Sequence, residues 1–286
     1  ANTGRKAPVL ISIPYTFLEN DVRSELRAQR SEVRQTSTTN QEANRDLGAL
    51  EEILHGKERP VIIGGKSLMI EGIEPLLDAI CKNASIPFVT TTSGKSIVHE
   101  ESTYSFGNIM QKNIVREILE SADIIIAVGT RLRDVDAKRR GVRIKELVHI
   151  DVDQQWMDKN YPARLKISGD VKKGMDVLYY ALKKRFFAWN LERLKDAHRK
   201  NLSSLKKTST GFQLTRLIRK AVPDDAITIW DLNLPSYWAE YYFPVYQQNS
   251  FIMPRGISPI FYSFPASIGA KLGKMEKPCL SVCGDG

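Results

Sequence analysis

Short apolar segments that alternate with amphipathic ones constrain the fold of this chain more than any other feature. Residues 122–129 are almost entirely apolar, as is typical of a strand in a parallel sheet whose two faces are both covered by helices. Residues 70–83 instead carry apolar side chains at helical spacing. We therefore predict an α/β protein with a doubly wound parallel sheet, in which right-handed crossovers bring the carboxyl ends of the strands to one edge.

The alternation continues along the chain and gives a coarse domain plan. The predicted strands lie at residues 8–14, 60–65, 87–92, 122–129, 146–153, 165–170, 226–231 and 279–283. The predicted helices lie at residues 46–54, 70–83, 114–121, 171–184, 189–207 and 212–221. We divide the chain into an apolar strand segment (1–14), a linker (15–45), a central α/β domain (46–186), a linker helix (187–209) and a further α/β region (210–286).

Composition excludes several classes of protein. The net charge of +9 comes from scattered Lys and Arg residues without a recognisable nucleic-acid-binding motif, so we interpret it as solvated helix faces and predict no nucleic-acid partner. No apolar run approaches the ~20 residues that span a membrane. The three cysteines, Cys81, Cys279 and Cys283, form no zinc or disulfide pattern, which favours a reducing, cytoplasmic location.

The four histidines give no convincing catalyst. His149 lies inside a predicted strand and is expected in the core. His55, His99 and His198 lie in polar surroundings and are expected to be exposed. The sequence therefore assigns no catalytic residue within this chain.

Glycine, hydroxyl and charged residues collect where the strands of the central domain end. These residues are Gly64, Gly65, Thr91, Gly129, Arg131, Asp151, Asp153 and Asp170. Glycines and hydroxyls allow close contact with phosphate, Arg supplies a bidentate positive group, and Asp can hold ribose hydroxyls. For any one of these residues, a role in a turn is the simpler interpretation. The set as a whole favours a nucleotide-binding cleft. The absence of a GxGxxG motif argues against a Rossmann NAD site.

A second motif stands at the end of the sequence. The apolar segment 279–283 leads directly into Gly284-Asp285-Gly286. A strand that stops there presents one carboxylate at the carboxyl end of a parallel sheet, where ligands bind. The Asp285 carboxylate is a hard oxygen ligand suited to Mg²⁺, and flanking glycines let a phosphate approach the backbone.

Several segments together resemble thiamine-diphosphate-dependent enzymes of the acetolactate synthase-like family, from about Pro8 to Gly286. Those that carry the resemblance are IPFVTTTSGK (86–95), ADIIIAVGTRL (122–132), HIDVD (149–153), WAEYY (238–242), PASIGA (265–270) and the final GDG. The resemblance implies a central domain with a DHS-like nucleotide-binding fold and part of an α/β thiamine-diphosphate-binding domain. It also implies that residues 1–14 end a pyrimidine-binding domain.

The resemblance further implies a cofactor site with some altered residues. Gly284, Asp285, Gly286, Asn233 and Ile260 would contact thiamine diphosphate, with Asp285 on Mg²⁺ and Ile260 as the apolar wedge. The family has Gly-Gln-His where this chain has Asn-Leu-Pro at 233–235, and glycines where it has Phe and Ser at 261 and 263. Side chains at the latter two are costly if those positions need a positive φ or close approach to the cofactor.

The implied activity is decarboxylation of a 2-keto acid such as pyruvate, followed by carboligation as in branched-chain amino acid biosynthesis. The central cleft would hold FAD, ADP or nothing specific. Family members are homodimers or tetramers, some with a small regulatory subunit, and their catalytic Glu lies in a domain absent here, so we expect this chain alone not to turn over. Alternatives are a pyruvate oxidase, a 2-keto acid or oxalyl-CoA decarboxylase, a catalytically inactive nucleotide-binding module, or a sirtuin-like or electron-transfer flavoprotein-like domain.

Overall fold

A computed structural model describes residues 40–111, 113–133, 137–138, 141–255 and 258–285. The helices are α1 (Asn40–Ile53), α2 (Ile73–Ala84), α3 (Ile114–Ser121), α4 (Val171–Leu182), α5 (Leu191–Thr208), α6 (Thr210–Ala221), α7 (Leu234–Tyr242) and α8 (Ser263–Gly273). The strands are β1 (Pro60–Gly64), β2 (Phe88–Thr90), β3 (Ser105–Asn108), β4 (Ile124–Val128), β5 (Leu147–Asp151), β6 (Leu165–Ser168), β7 (Ile227–Trp230), β8 (Phe251–Ile252) and β9 (Cys279–Val282). The predicted strand at 8–14 lies outside the described residues.

Six strands form a parallel sheet in the order β3-β2-β1-β4-β5-β6, which confirms the predicted doubly wound α/β fold. Strands β1, β4 and β5 are buried along their whole length, as their continuous apolar sequences predict. The chain order reverses between β1 and β4. The carboxyl ends of these two strands therefore flank the crevice where open α/β sheets commonly bind ligands.

A smaller parallel sheet has the order β8-β7-β9. Its core holds Trp230 and Phe243, whose ring centroids lie 5.0 Å apart, together with Phe251. Helix α7 follows β7, and α8 precedes β9. Two parallel strands with helical connections place the carboxyl ends of β7 and β9 side by side, which builds the site described below.

Buried polar contacts join the two sheets. The Thr92 hydroxyl donates to Glu240 Oε1 at 2.5 Å and accepts from Asn108 Nδ2 at 3.0 Å. Glu240 also pairs with Arg255 at 3.2 Å, and its side chain is only 4% exposed. This chain of bonds leaves the buried Glu240 carboxylate with both an ionic and a hydrogen-bonded partner, as a buried charge requires.

Three features differ from the elements that the sequence predicts. Helix α1 begins at Asn40, ahead of the predicted start at residue 46, because the polar end of the linker segment joins the helix without an apolar pattern of its own. His198 was expected to be exposed but is only 9% exposed, since α5 packs this face against the first sheet. Strands β3 and β8 were not predicted.

Within the described ranges, no helix combines the length and apolarity that crossing a bilayer would need.

Candidate functional site

The carboxyl ends of β7 and β9 form one edge of the second sheet. Trp230 pairs with Val282 in register, and the next residue, Asp231, donates its backbone N–H to Val282 O at 3.0 Å. The Asp231 carboxylate is 5% exposed and points along this edge. Its Oδ1 accepts the Ser263 N–H at 2.7 Å, and its Oδ2 accepts the Gly284 N–H at 3.0 Å.

Asp231 therefore holds two segments that are far apart in sequence. Ser263 is the first residue of α8, and Gly284 opens the Gly-Asp-Gly turn after β9. Burial is the largest single influence on this carboxyl and raises its pKa. The N–H groups of Gly284, Ser263 and Tyr262, with the Ser263 side chain, together outweigh it and hold the pKa below its usual value. The group stays ionised, and a carboxylate with an N–H on each oxygen fixes the turn.

Asn233 caps the helix that starts at this edge. Its Oδ1 accepts the Ser236 N–H at 2.9 Å, and the Ser236 hydroxyl accepts the Asn233 N–H at 3.0 Å, which completes a capping box. Asn233 Nδ2 also reaches Val282 O at 3.3 Å. The Asn-Leu-Pro segment is thus a sound helix start, with Pro235 in the first turn where it costs no hydrogen bond. A contact between Asn233 and a diphosphate stays a prediction.

The loop before α8 carries the predicted wedge. Ile260 is 83% exposed, which is unusual for a large apolar side chain. The next residue, Phe261, has a φ of 60°, so this position lies in the left-handed region, where a side chain is strained. Ser263 differs: its side chain is fully buried and its backbone N–H binds Asp231, so it is constrained by close packing and not by a positive φ.

The Gly-Asp-Gly turn projects from this edge. The side chain of Asp285 is exposed next to the fixed Gly284. A Cβ atom added to Gly284 would first meet Asp231 Oδ2, at 4.0 Å, so folding alone leaves room for a side chain there. Gly286 lies outside the described residues. An exposed carboxylate beside an anchored turn is suited to a cation.

The donor set fits a Mg²⁺ ion that is shared with a phosphate. Within the part of the chain that the structure describes, no cluster of three or more His, Cys, Asp or Glu residues could hold a metal. Mg²⁺ commonly takes one or two protein carboxylates together with phosphate oxygens and water. Asp285 meets the protein's part of that requirement, while the helix start at Leu234 offers a dipole that favours an anion.

The glycines predicted for the central cleft lie at the carboxyl edge of the first sheet, on both sides of the order reversal. The Gly65 N–H binds Val128 O at 2.8 Å, and the Ser67 N–H binds Gly129 O at 3.1 Å. A Cβ atom at Gly65 would clash with Gly129 O, and Gly129 has a φ of 64°. Close packing of two loops therefore explains these glycines without a ligand, and Gly64 likewise abuts the Phe88 ring.

The other predicted residues share this edge, several with structural partners. The Thr91 hydroxyl donates to Gly64 O at 3.5 Å, and Asp170 caps α4 by accepting the Lys173 N–H at 3.1 Å. Asp151 Oδ1 accepts the Asp153 N–H at 3.0 Å. The Arg131 guanidinium lies 4.6 Å from the centroid of the Trp156 ring. Arg131 and Asp153, both half-buried, offer charge and hydrogen bonds toward a nucleotide, so FAD or ADP binding here stays a prediction.

Sequence reasoning missed Asp231 and Ser263 as the residues that organise the second-sheet edge. The sequence did contain a signal for Asp231, because this residue directly follows an apolar strand, and the Gly-Asp-Gly turn follows another. Polar residues that end two neighbouring parallel strands are brought together by the fold. What the sequence could not supply is the pairing of β7 with β9 across about fifty intervening residues.

Comparison with protein families gives two matches. Residues 47–178 match the model described as the central domain of thiamine pyrophosphate enzymes. Residues 234–286 match the model described as the C-terminal, thiamine-pyrophosphate-binding domain. The first match covers the six-stranded sheet, and the second covers α7, α8, β9 and the Gly-Asp-Gly turn.

Curated relatives agree with these matches. A probable 2-ketoarginine decarboxylase from Pseudomonas aeruginosa is 28% identical over 99% of this chain and 50% of its own length. A probable acetolactate synthase large subunit from Methanococcus aeolicus is 25% identical over 100% of this chain and 52% of its length. The acetolactate synthase large subunit of Lactococcus lactis is 24% identical over 100% of this chain and 51% of its own length. The chain spans about half the length of these relatives, and it belongs to the thiamine pyrophosphate enzyme family.

Proposed function

We propose that the protein containing this chain uses thiamine diphosphate and Mg²⁺ to decarboxylate a 2-keto acid and to transfer the resulting two-carbon or larger unit to an acceptor, as an acetolactate synthase does. The observation that carries the proposal is the edge formed by β7 and β9. There Asp231 fixes both the start of α8 and the Gly-Asp-Gly turn, and Asp285 stands exposed beside them.

The residues of this edge have separable roles in the proposal. Asp285 contributes a Mg²⁺ ligand, and the ion neutralises the diphosphate of the cofactor. The amino-terminal turn of α7, capped by Asn233, favours the same negative charge through the helix dipole. Ile260 supplies an apolar surface for the cofactor's rings, and its 83% exposure in this chain leaves that surface available.

Bound thiamine diphosphate would supply the carbanion chemistry, and the protein positions the reacting groups. In this chain the positioning depends on Asp231, which is ionised at neutral pH and accepts one backbone N–H on each oxygen. We further propose that the whole protein is a cytoplasmic homodimer or tetramer, with FAD in the central cleft and a small regulatory subunit as a partner. The acetolactate synthase relatives support this assignment.

A second candidate is a 2-keto acid decarboxylase that releases an aldehyde without carboligation. The Pseudomonas aeruginosa relative, named as a probable 2-ketoarginine decarboxylase, favours it with 28% identity along 99% of the chain. The two candidates share the decarboxylation step and differ in the fate of its product. The products formed from pyruvate and from 2-ketoarginine therefore distinguish them.

The test uses the full protein with Mg²⁺, thiamine diphosphate and one keto acid at a time. Acetolactate is measured by acid conversion to coloured acetoin, and CO₂ release is followed in parallel. Acetolactate from pyruvate, dependent on the cofactor, is the expected result. CO₂ and aldehyde without acetolactate would establish the decarboxylase instead, and no CO₂ from either keto acid would refute both candidates.

A further inference from the structure

A cavity of about 280 Å³ lies where the linker helix α5 meets β3 of the first sheet and helices α6 and α7. Lys195 and His198 line it from α5, Phe106 from β3, Arg216 from α6 and Tyr242 from α7. None of the residues that line it belongs to the β7–β9 edge. Its volume is near the lower end of the ~300–1,000 Å³ range of ligand sites, so it suits a small molecule.

Lys195 brings a positive charge into the cavity wall. It is 5% exposed, and its Nζ donates to Glu100 O at 3.0 Å and to Ser105 O at 2.7 Å. An ammonium group has three N–H donors, so these two bonds leave one for another acceptor. Burial lowers the pKa of Lys195 to about 8, and the side chain is still mostly protonated at neutral pH.

His198 lines the same cavity with an unsatisfied ring nitrogen. The side chain is 9% exposed, and within the described residues its Nδ1 has no hydrogen-bond partner. Its ring meets Phe106 edge to face, with the centroids 6.1 Å apart. Buried polar groups favour a hydrogen-bonding partner, so His198 contributes to the wall a polar ring whose Nδ1 the described residues leave unsatisfied.

The charges around the cavity favour an anion. Lys195, Arg199 and Arg216 are its cations, and Glu100 and Glu101 are its carboxylates. Glu100 is already paired with Lys95 at 2.6 Å, and the Lys95 side chain is itself 2% exposed. Arg199 is likewise paired, with Asp196 at 3.2 Å. Lys195 and Arg216 therefore face one remaining carboxylate, Glu101, which leaves the site net positive.

Apart from Gln111 and Gly107, the remaining walls are apolar or aromatic, with Phe106, Leu202, Tyr242 and Pro244 among them. Such walls bury a carbon skeleton, whereas a bare inorganic ion would leave them wet. We propose that this cavity binds a small organic carboxylate, with its carboxylate on Arg216, Lys195 and His198 and its carbon atoms against Phe106 and Tyr242. The bound molecule would touch the first sheet at β3 and the helices α5, α6 and α7.

The test measures binding to the full protein by calorimetry, with succinate, butyrate and inorganic phosphate as separate probes at constant ionic strength. Saturable binding of succinate or butyrate is expected. Affinity should fall by about tenfold or more in Arg216→Met, the effect of removing one charged hydrogen bond. Arg193→Met, which removes an exposed charge from α5 away from the cavity, should leave binding unchanged.

A second measurement reads the site directly. Nuclear magnetic resonance of labelled histidine, with the His198 signal assigned through His198→Gln, should show a higher imidazole pKa when the carboxylate is bound, because a nearby anion favours the imidazolium. Either of two results would overturn the proposal. One is no binding of succinate or butyrate at millimolar concentrations, with or without phosphate binding. The other is binding that Arg216→Met and Arg193→Met change equally.

Discussion

Replacing Asp231 with Asn tests the second-sheet edge most sharply. In the structure each oxygen of this carboxylate accepts one backbone N–H, from Ser263 at 2.7 Å and from Gly284 at 3.0 Å. The amide of Asn has nearly the same shape but only one oxygen. One of the two N–H groups must then face an NH₂ group, and the other loses a charged acceptor.

The size of the effect follows from these two bonds. A hydrogen bond to a charged group contributes about 1.5–3 kcal/mol, and a buried donor left unpaired costs about 1–3 kcal/mol. Losing one bond and weakening the second should therefore destabilise this edge by about 2–4 kcal/mol. Because the folded-state pKa of Asp231 is lowered, its contribution is present above the unfolded pKa of about 3.9 and is lost as the pH falls through the folded value.

The assay is urea unfolding of the full protein at pH 7 and at progressively lower pH, together with thiamine diphosphate affinity. Asp231→Asn should lower the free energy of unfolding at pH 7, and the difference from wild type should shrink at acidic pH. Asp176→Asn is the matched control, because Asp176 is exposed on α4. Equal stability of Asp231→Asn and Asp176→Asn at pH 7 would refute the assigned role.

Three further variants test neighbouring features. Thr92→Val keeps the shape but removes the hydroxyl bonded to buried Glu240, and should cost about 1–3 kcal/mol in urea unfolding, whereas an unchanged midpoint would argue against the contact. Phe261→Gly should be about 1 kcal/mol more stable than Phe261→Ala, since φ is 60° and only Gly avoids the strain; the reverse order would contradict the loop geometry. Burial lowers the pKa of His198 to about 4, so the folded protein should lose up to ~3 kcal/mol as the pH falls from ~6.5 to ~4. His198→Gln should flatten that slope, and an unchanged slope would refute it.

The sequence predicts the first sheet well because its strands are unusually apolar. β1, β4 and β5 are buried on both faces, so a continuous run of Val, Ile and Ala marks each one. β3 was not predicted, because Ser105–Asn108 contains only one large apolar residue among polar and glycine residues. Three of its four residues are nevertheless buried. Its backbone has tertiary partners such as Lys195, which donates to Ser105 O and which local patterns do not show.

In the candidate site, too, some residues form a recognisable sequence motif, whereas the role of others depends on tertiary contacts. Asp285 and its flanking glycines stand out as a motif, and Phe261 stands out as a non-glycine residue where a glycine is expected. Asp231 gains its importance only when β7 and β9 pair, and Glu240 only when α7 reaches Thr92 of the first sheet. His198 and Lys195 have charged neighbours in sequence that suggest solvent, but the packing of α5 buries them. Contacts between distant segments therefore determine the roles of these residues, which the sequence pattern does not predict.

The measurement that tests the central claim most directly is thiamine diphosphate binding by the full protein, with and without Mg²⁺, in wild type and in Asp285→Asn. The account predicts Mg²⁺-dependent binding in wild type that is weakened by at least about tenfold in Asp285→Asn, with the folded structure intact by circular dichroism. Absence of binding in wild type, or binding that neither Mg²⁺ nor Asp285→Asn alters, would contradict the assignment of this edge as the cofactor site.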